Sequence, residues 1–120
     1  MHSAQRDSQL LERLQAEHRA LTAKLAHIGF IWGGSVHSQR MTCGRPDCAC
    51  HRDPEARHGP YLYWTTKVAG RSVSRLLHPP EAELLSQWVE NRRQLDRIVR
   101  QMKSLSHRAL KVFLRLRRSK

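Results

Sequence analysis

The sequence predicts an α+β fold: two long antiparallel helices, coiled-coil-like, flanking a small antiparallel β-sheet. Three observations predict it. Apolar residues recur at alternating spacings of three and four near both ends of the chain, the signature of an amphipathic helix. All 6 glycines lie in the central region, where they interrupt any helix. Between those glycines run short stretches rich in β-formers. With 120 residues and 39% hydrophobic content, the chain suits one domain over residues 1–120 with a modest core.

The first helix is expected over residues 4–28. Leu11, Leu14, His18, Leu21, Leu25 and Ile28 form its seam, with Gln, Glu, Arg, Lys and Ala between them. Ser3 or Asp7 suits the N-cap and Gly29 the stop. His18 reads as a polar seam residue that sets register rather than as a ligand.

The central module is expected over residues 29–78. Ser35–Thr42 reads as a first strand, Tyr61–Val68 as a second and Arg71–Leu77 as a third. Ala69-Gly70 supplies a two-residue hairpin turn. That turn sets Val68 opposite Arg71, Thr66 opposite Val73, Trp64 opposite Arg75 and Leu62 opposite Leu77. One face then offers Leu62, Trp64, Val68, Val73 and Leu77 to a core, with Arg75 across the Trp64 ring. The other face carries Tyr61, Tyr63, Thr65, Lys67, Ser72, Ser74 and Leu76.

A long helix is expected over residues 80–118, opened by Pro79-Pro80 with Glu81 and Glu83 at its positive end. Its seam is Leu84, Trp88, Asn91, Leu95, Ile98, Met102, Leu105, Ala109, Val112 and Leu116. Leu85, Val89, Val99, Leu110, Phe113 and Leu114 lie off that seam. Such a surplus points to homodimerisation through the helices, with a membrane surface or a partner groove as the competing reading. No stretch is long and apolar enough to span a bilayer, and the N-terminus has no signal-peptide pattern, so a cytoplasmic protein is expected.

The formal charge is +12. Residues 97–120 hold 9 basic and 0 acidic residues, and residues 37–78 hold 7 and 3. Cations beyond the last turn of a helix gain little from its dipole and repel one another. A polyanionic partner relieves that repulsion.

Cys43, Cys48 and Cys50 sit within eight residues, an odd and tight cluster unlike a disulfide framework. Three thiolates with one histidine make a closed zinc shell. His58, in a Gly-Pro turn, is the preferred fourth donor; His51 is second, and His37 and His78 are remoter. Three reduced cysteines without metal, or an iron–sulfur cluster, are the weaker readings. The fold class thereby becomes a zinc-bound sheet between helices, with the Zn2+ structural.

The string C-G-R-P-D-C-A-C, followed by H-G-P-Y-L-Y and a strand ending G-R-S-V-S-R, resembles an uncharacterised family of small prokaryotic proteins. Its signature is C-G-[KR]-P-x-C-x-C, then H-G-P-Y and a basic hairpin. The resemblance covers about residues 33–77 and implies Cys43, Cys48, Cys50 and His58 as the shared positions. It implies no activity.

Nucleic-acid binding is the expected function. Tyr61, Tyr63, Lys67, Arg71 and Arg75 of the hairpin, and Arg108, Lys111, Arg115, Arg117 and Arg118 of the last helix, are the expected contacts. A helical protein-protein assembly module with a purely structural zinc site is the alternative. No catalytic triad, phosphate loop or carboxylate pair is present, so no enzyme is expected.

Overall fold

A computed structural model describes residues 2–118. Helix α1 spans His2–Leu25, strand β1 Ser35–Met41, β2 His58–Val68, β3 Arg71–Leu77, and helix α2 Pro79–Arg118. The strands form one antiparallel sheet in the order β1-β2-β3. The fold class is therefore α+β. The chain divides into two compact units, one of residues Phe30–Arg92 and one of the residues on either side. No described helix is long and apolar enough to cross a membrane.

In the helical unit, Leu14, Leu105 and Val112 are buried, with Leu10, Leu11, Leu21, Ala109 and Leu116 packed against them. The seam positions of α1 are inward as expected, except His18, which is exposed at the edge of a groove beside Leu11 and Phe113. Asp7, expected as a cap, instead meets Arg115 at 3.0 Å, and Glu17 meets Arg108 at 3.1 Å. These two pairs run in opposite order along the two helices. Helix α1 stops at Leu25, three residues short of the expected end. The His27 and Ile28 N–H groups donate to the Lys24 and Leu25 carbonyls at 3.1 and 3.2 Å, tightening the last turn before Gly29.

In the sheet unit, the β2–β3 register is the expected one, from Val68↔Arg71 to Leu62↔Leu77. Ala69 and Gly70 both take positive φ, 52° and 81°, which matches the twist of a two-residue hairpin. Leu77, Ala82 and Leu85 are buried, and Val36, Leu62, Trp64 and Trp88 pack on them. Val68 and Val73 do not join this core and are 57% and 41% exposed. They lie at the turn end of the hairpin, whereas Leu62 and Leu77 build the core at its other end.

The start of α2 also departs from the expected seam. Leu84 is 51% exposed, and Ala82, Leu85 and Val89 are buried instead. The first turns of α2 pack on Leu77 and the sheet, so the inward stripe there follows the sheet. Arg75 pairs with Glu81 at 3.2 Å rather than serving the Trp64 ring.

The segment before β1 is fastened to α2. The Trp32 N–H donates to the Trp88 carbonyl at 3.1 Å. Asn91 Nδ2 donates to the Phe30 carbonyl at 2.8 Å, and Arg92 Nη2 to that of Gly34 at 3.0 Å. Trp32 packs beside both Trp64 and Trp88, with ring centres 6.1 and 6.3 Å away. Gly34 has φ +80°, and a Cβ there would stand 2.5 Å from the Thr65 carbonyl oxygen. Only glycine fits this approach of the chain to β2.

Candidate metal centre

The connection between β1 and β2 is built from turns. Cys48 leads into a 3-10 turn over Ala49–His51, and a second covers Pro54–Ala56. Asp53 Oδ1 caps the second by accepting the Glu55 N–H at 3.0 Å. The β1–β2 pairing is irregular between Gln39 and Met41, around Arg40. The Arg40 guanidinium donates to the Glu55 and Arg57 carbonyls, both at 2.9 Å, tying the loop to the strand. Met41 is the register partner of His58. Cys43, two residues beyond Met41, is thereby carried to the start of β2.

Cys43, Cys48, Cys50 and His58 converge, with one donor atom from each lying within 4.8 Å of every other. Cys43 Sγ and Cys50 Sγ are 3.7 Å apart, and Cys48 Sγ and His58 Nε2 are 3.5 Å apart. All three cysteines are free, and 3.7 Å is far beyond the disulfide length of about 2.05 Å. A tetrahedral ion with bonds of about 2.3 Å to sulfur and 2.0 Å to nitrogen separates two sulfurs by about 3.8 Å, and sulfur from nitrogen by about 3.5 Å. These two separations match those edges, and the remaining ones stay within 4.8 Å, so the four donors are close enough to share one metal ion.

The site also has its own outer support. The Cys43 N–H donates to Cys50 Sγ at 3.3 Å, which spreads the charge a thiolate brings. Cys50 is buried, at 2% exposure. The Cys48 thiol is lowered from 9.0 to about 6, first by the backbone N–H of Cys50, then by His58 and the neighbouring thiols. Cys50 is pulled down by the Cys43 N–H but is raised on balance, because burial and the adjacent Cys48 and Cys43 groups outweigh it. Cys48 and Cys50 thus sit in environments set in part by the other ligands.

The fourth donor is His58, the preferred one of the four histidines considered. His51 follows Cys50 within the 3-10 turn, and its side chain is exposed and outside the cluster. His37 stacks on Tyr63 with ring centres 6.2 Å apart. The carbonyl of His78 accepts the Ala82 N–H at the start of α2. No carboxylate joins the cluster among the described residues.

The expected anion contacts divide into two sets. Arg75, Arg108 and Arg115 are engaged with Glu81, Glu17 and Asp7. Arg115 reaches both Asp7 oxygens, and this carboxylate holds its guanidinium above the ordinary value. Lys67, Arg71, Lys111, Arg117 and Arg118 are exposed. Tyr61 is exposed, and the half-buried Tyr63 donates its hydroxyl to Met41 Sδ at 2.8 Å. Lys120, the last cation of the basic run, lies outside the described residues. Sequence reasoning missed Arg40, which in the chain is just one more strand cation. It also missed the Trp32, Trp64 and Trp88 group, whose members are 24 or more positions apart.

No curated protein and no solved structure matches the chain. A family model matches residues 8–87, which include all four converging ligands and the whole sheet. By that match the chain belongs to the family described as Domain of unknown function (DUF6788).

Proposed function

We propose that this chain is a small zinc protein that binds nucleic acid, its metal being structural. Four converging donors, two pairs of them at the edge lengths of a tetrahedral zinc site, suffice to fill its shell without a substrate, which supports zinc as a clip rather than a catalyst. One observation carries the nucleic-acid reading. Residues 37–78 hold 7 cations and 3 carboxylates, and the loop carboxylates Asp47, Asp53 and Glu55 form no ion pair among the described residues. Asp53 is committed to a turn. Arg75 is paired with Glu81 and Arg40 is tied to loop carbonyls, so the charge of Arg45, Arg52, Arg57, Lys67 and Arg71 is what is left for an external anion.

Arg108 and Arg115 of α2 are partly neutralised within the helical unit, so the proposal rests more on the β module than on the helix end. The test is fluorescence anisotropy with the metal-loaded protein and a labelled oligonucleotide. If about four phosphates are contacted, affinity falls about a hundredfold between about 50 and 200 mM salt. An affinity that does not move with salt rejects the reading.

The assembly reading has its own support. Leu110, Phe113 and Leu114 are 55%, 46% and 43% exposed on α2, a row suited to a second copy or another protein. Retention of a protein partner from nuclease-treated lysate, with no affinity for nucleic acid, favours it instead.

A further inference from the structure

We infer that the face of the sheet turned away from its apolar core is a stacking platform for single-stranded nucleic acid, centred on Tyr61 and Tyr63. This rests on the nucleic-acid reading above and narrows it to one surface and one strand state.

The sheet has two unlike faces. Val36, Leu62, Trp64 and Leu77 line one and pack on α2. The other follows from the registers: His37, Tyr63 and Leu76 stand abreast across the three strands, with Gln39 and Tyr61 in the next row. On the far side of the stripe come Ser35, Thr65 and Ser74, then Lys67 and Ser72. No buried residue lies on this face. Even so it holds large apolar surfaces, with Tyr61 41% and Leu76 51% exposed. An aromatic stripe on a solvent-facing sheet has no part in the core.

The Tyr63 ring is held in place. Tyr63 stacks on His37 with planes 24° apart, and its hydroxyl is tied to Met41 Sδ. Gly59 leaves room for Tyr61 beside it, since a Cβ there would stand 3.1 Å from the tyrosine Cδ2 and 2.8 Å from its nitrogen. Fixed aromatic rings bind bases at little cost in side-chain freedom.

Spacing chooses the strand state. Tyr61 and Tyr63 are two residues apart on β2, about 6.7 Å at the rise of a strand. Bases in a duplex strand follow one another every about 3.4 Å and hide their faces in the stack. Rings at twice that interval suit bases that have been splayed apart, as in a single strand. Charge is complementary: Lys67 stands on this face near the hairpin tip, and Arg45, Arg52 and Arg57 are in the loop at the other end. All four are available for phosphates, since no ion pair engages them among the described residues.

The test uses the metal-loaded full chain with labelled oligo-dT, oligo-U and a duplex of equal length at one salt concentration. At least one single strand is expected to bind about tenfold or more tighter than the duplex, and the two oligomers separate DNA from RNA. Tyr61→Ala is expected to lower single-strand affinity about tenfold or more and leave duplex affinity unchanged. Tyr61→Phe, which keeps the ring, is expected to restore binding, and Lys67→Gln to reduce the salt slope by about one. Bound metal, measured on each variant, reports that the fold is kept. Salt-dependent duplex binding equal to single-strand binding, with Tyr61→Ala silent, overturns the platform and leaves the nucleic-acid reading standing. Absence of binding to all three at low salt overturns both.

Discussion

The helical unit and the loop between β1 and β2 are held by different materials. In the helical unit, Leu14, Leu105 and Val112 form a buried cluster with five further apolar side chains around it. Between Leu14 and Leu77, by contrast, Cys50 is the only buried residue among those described. The helices can rely on removing apolar area from water. The loop has no such area, and its order comes from four metal-type ligands, two short 3-10 turns and the Arg40 bridge. A connection that is long and apolar-poor keeps one shape only when something other than a core holds it.

That contrast is broken most strongly by taking away the metal proposed at the four converging ligands. Chelation, or the pair Cys43→Ser and Cys48→Ser, is expected to raise amide exchange in residues 42–57 by about a hundredfold or more, since metal binding in such sites is folding energy. Protection in α1 and in the C-terminal part of α2 is expected to change little. Equal loss of protection in both units, or none in the loop, removes the distinction.

A smaller effect comes from the other unit. Leu105 is buried among Leu14, Val112 and Leu21, and Leu105→Ala is expected to cost about 3 kcal/mol in denaturant unfolding. Bound metal is expected to stay at the wild-type ratio, because the ligands lie in the other unit.

The smallest effect sharpens the picture of the sheet. Gly34→Ala places a methyl 2.5 Å from the Thr65 carbonyl oxygen and 2.6 Å from Trp64 Nε1, at φ +80°. It is expected to cost about 2 kcal/mol. Tryptophan fluorescence should report it, since Trp64 Nε1 donates to the Gly33 carbonyl at 2.7 Å. An unchanged melting midpoint and spectrum would show that the segment before β1 is loosely attached.

Much of the sheet was legible because its signals are local. A two-residue turn at Ala69-Gly70 sets the register of β2 on β3 all the way to Leu62 and Leu77. The strand bounds were less legible. β2 begins at His58 rather than Tyr61, because Met41 pairs with His58 across an irregularity at Arg40 that no local pattern announces. The inward stripe of α2 reads correctly at Ile98, Leu105 and Val112, and is displaced at Leu84, where the packing partner is the sheet. The thiols of the candidate site announce themselves by clustering in the chain, but the histidine does not. His51 is nearer in sequence than His58, and its position within a 3-10 turn sends its ring elsewhere.

By itself the sequence determined what short-range chemistry determines: two amphipathic helices, a hairpin and its register, three thiols in one turn-rich loop, and a cationic excess. Only the tertiary structure decided which histidine completes the cluster, which valines miss the core, and which cations are already spent. Arg108 and Arg115 meet carboxylates 91 and 108 positions away. The reason is physical. Backbone preference and periodicity act over a few residues, whereas ligand convergence and ion pairing depend on distances in space that the folded chain sets.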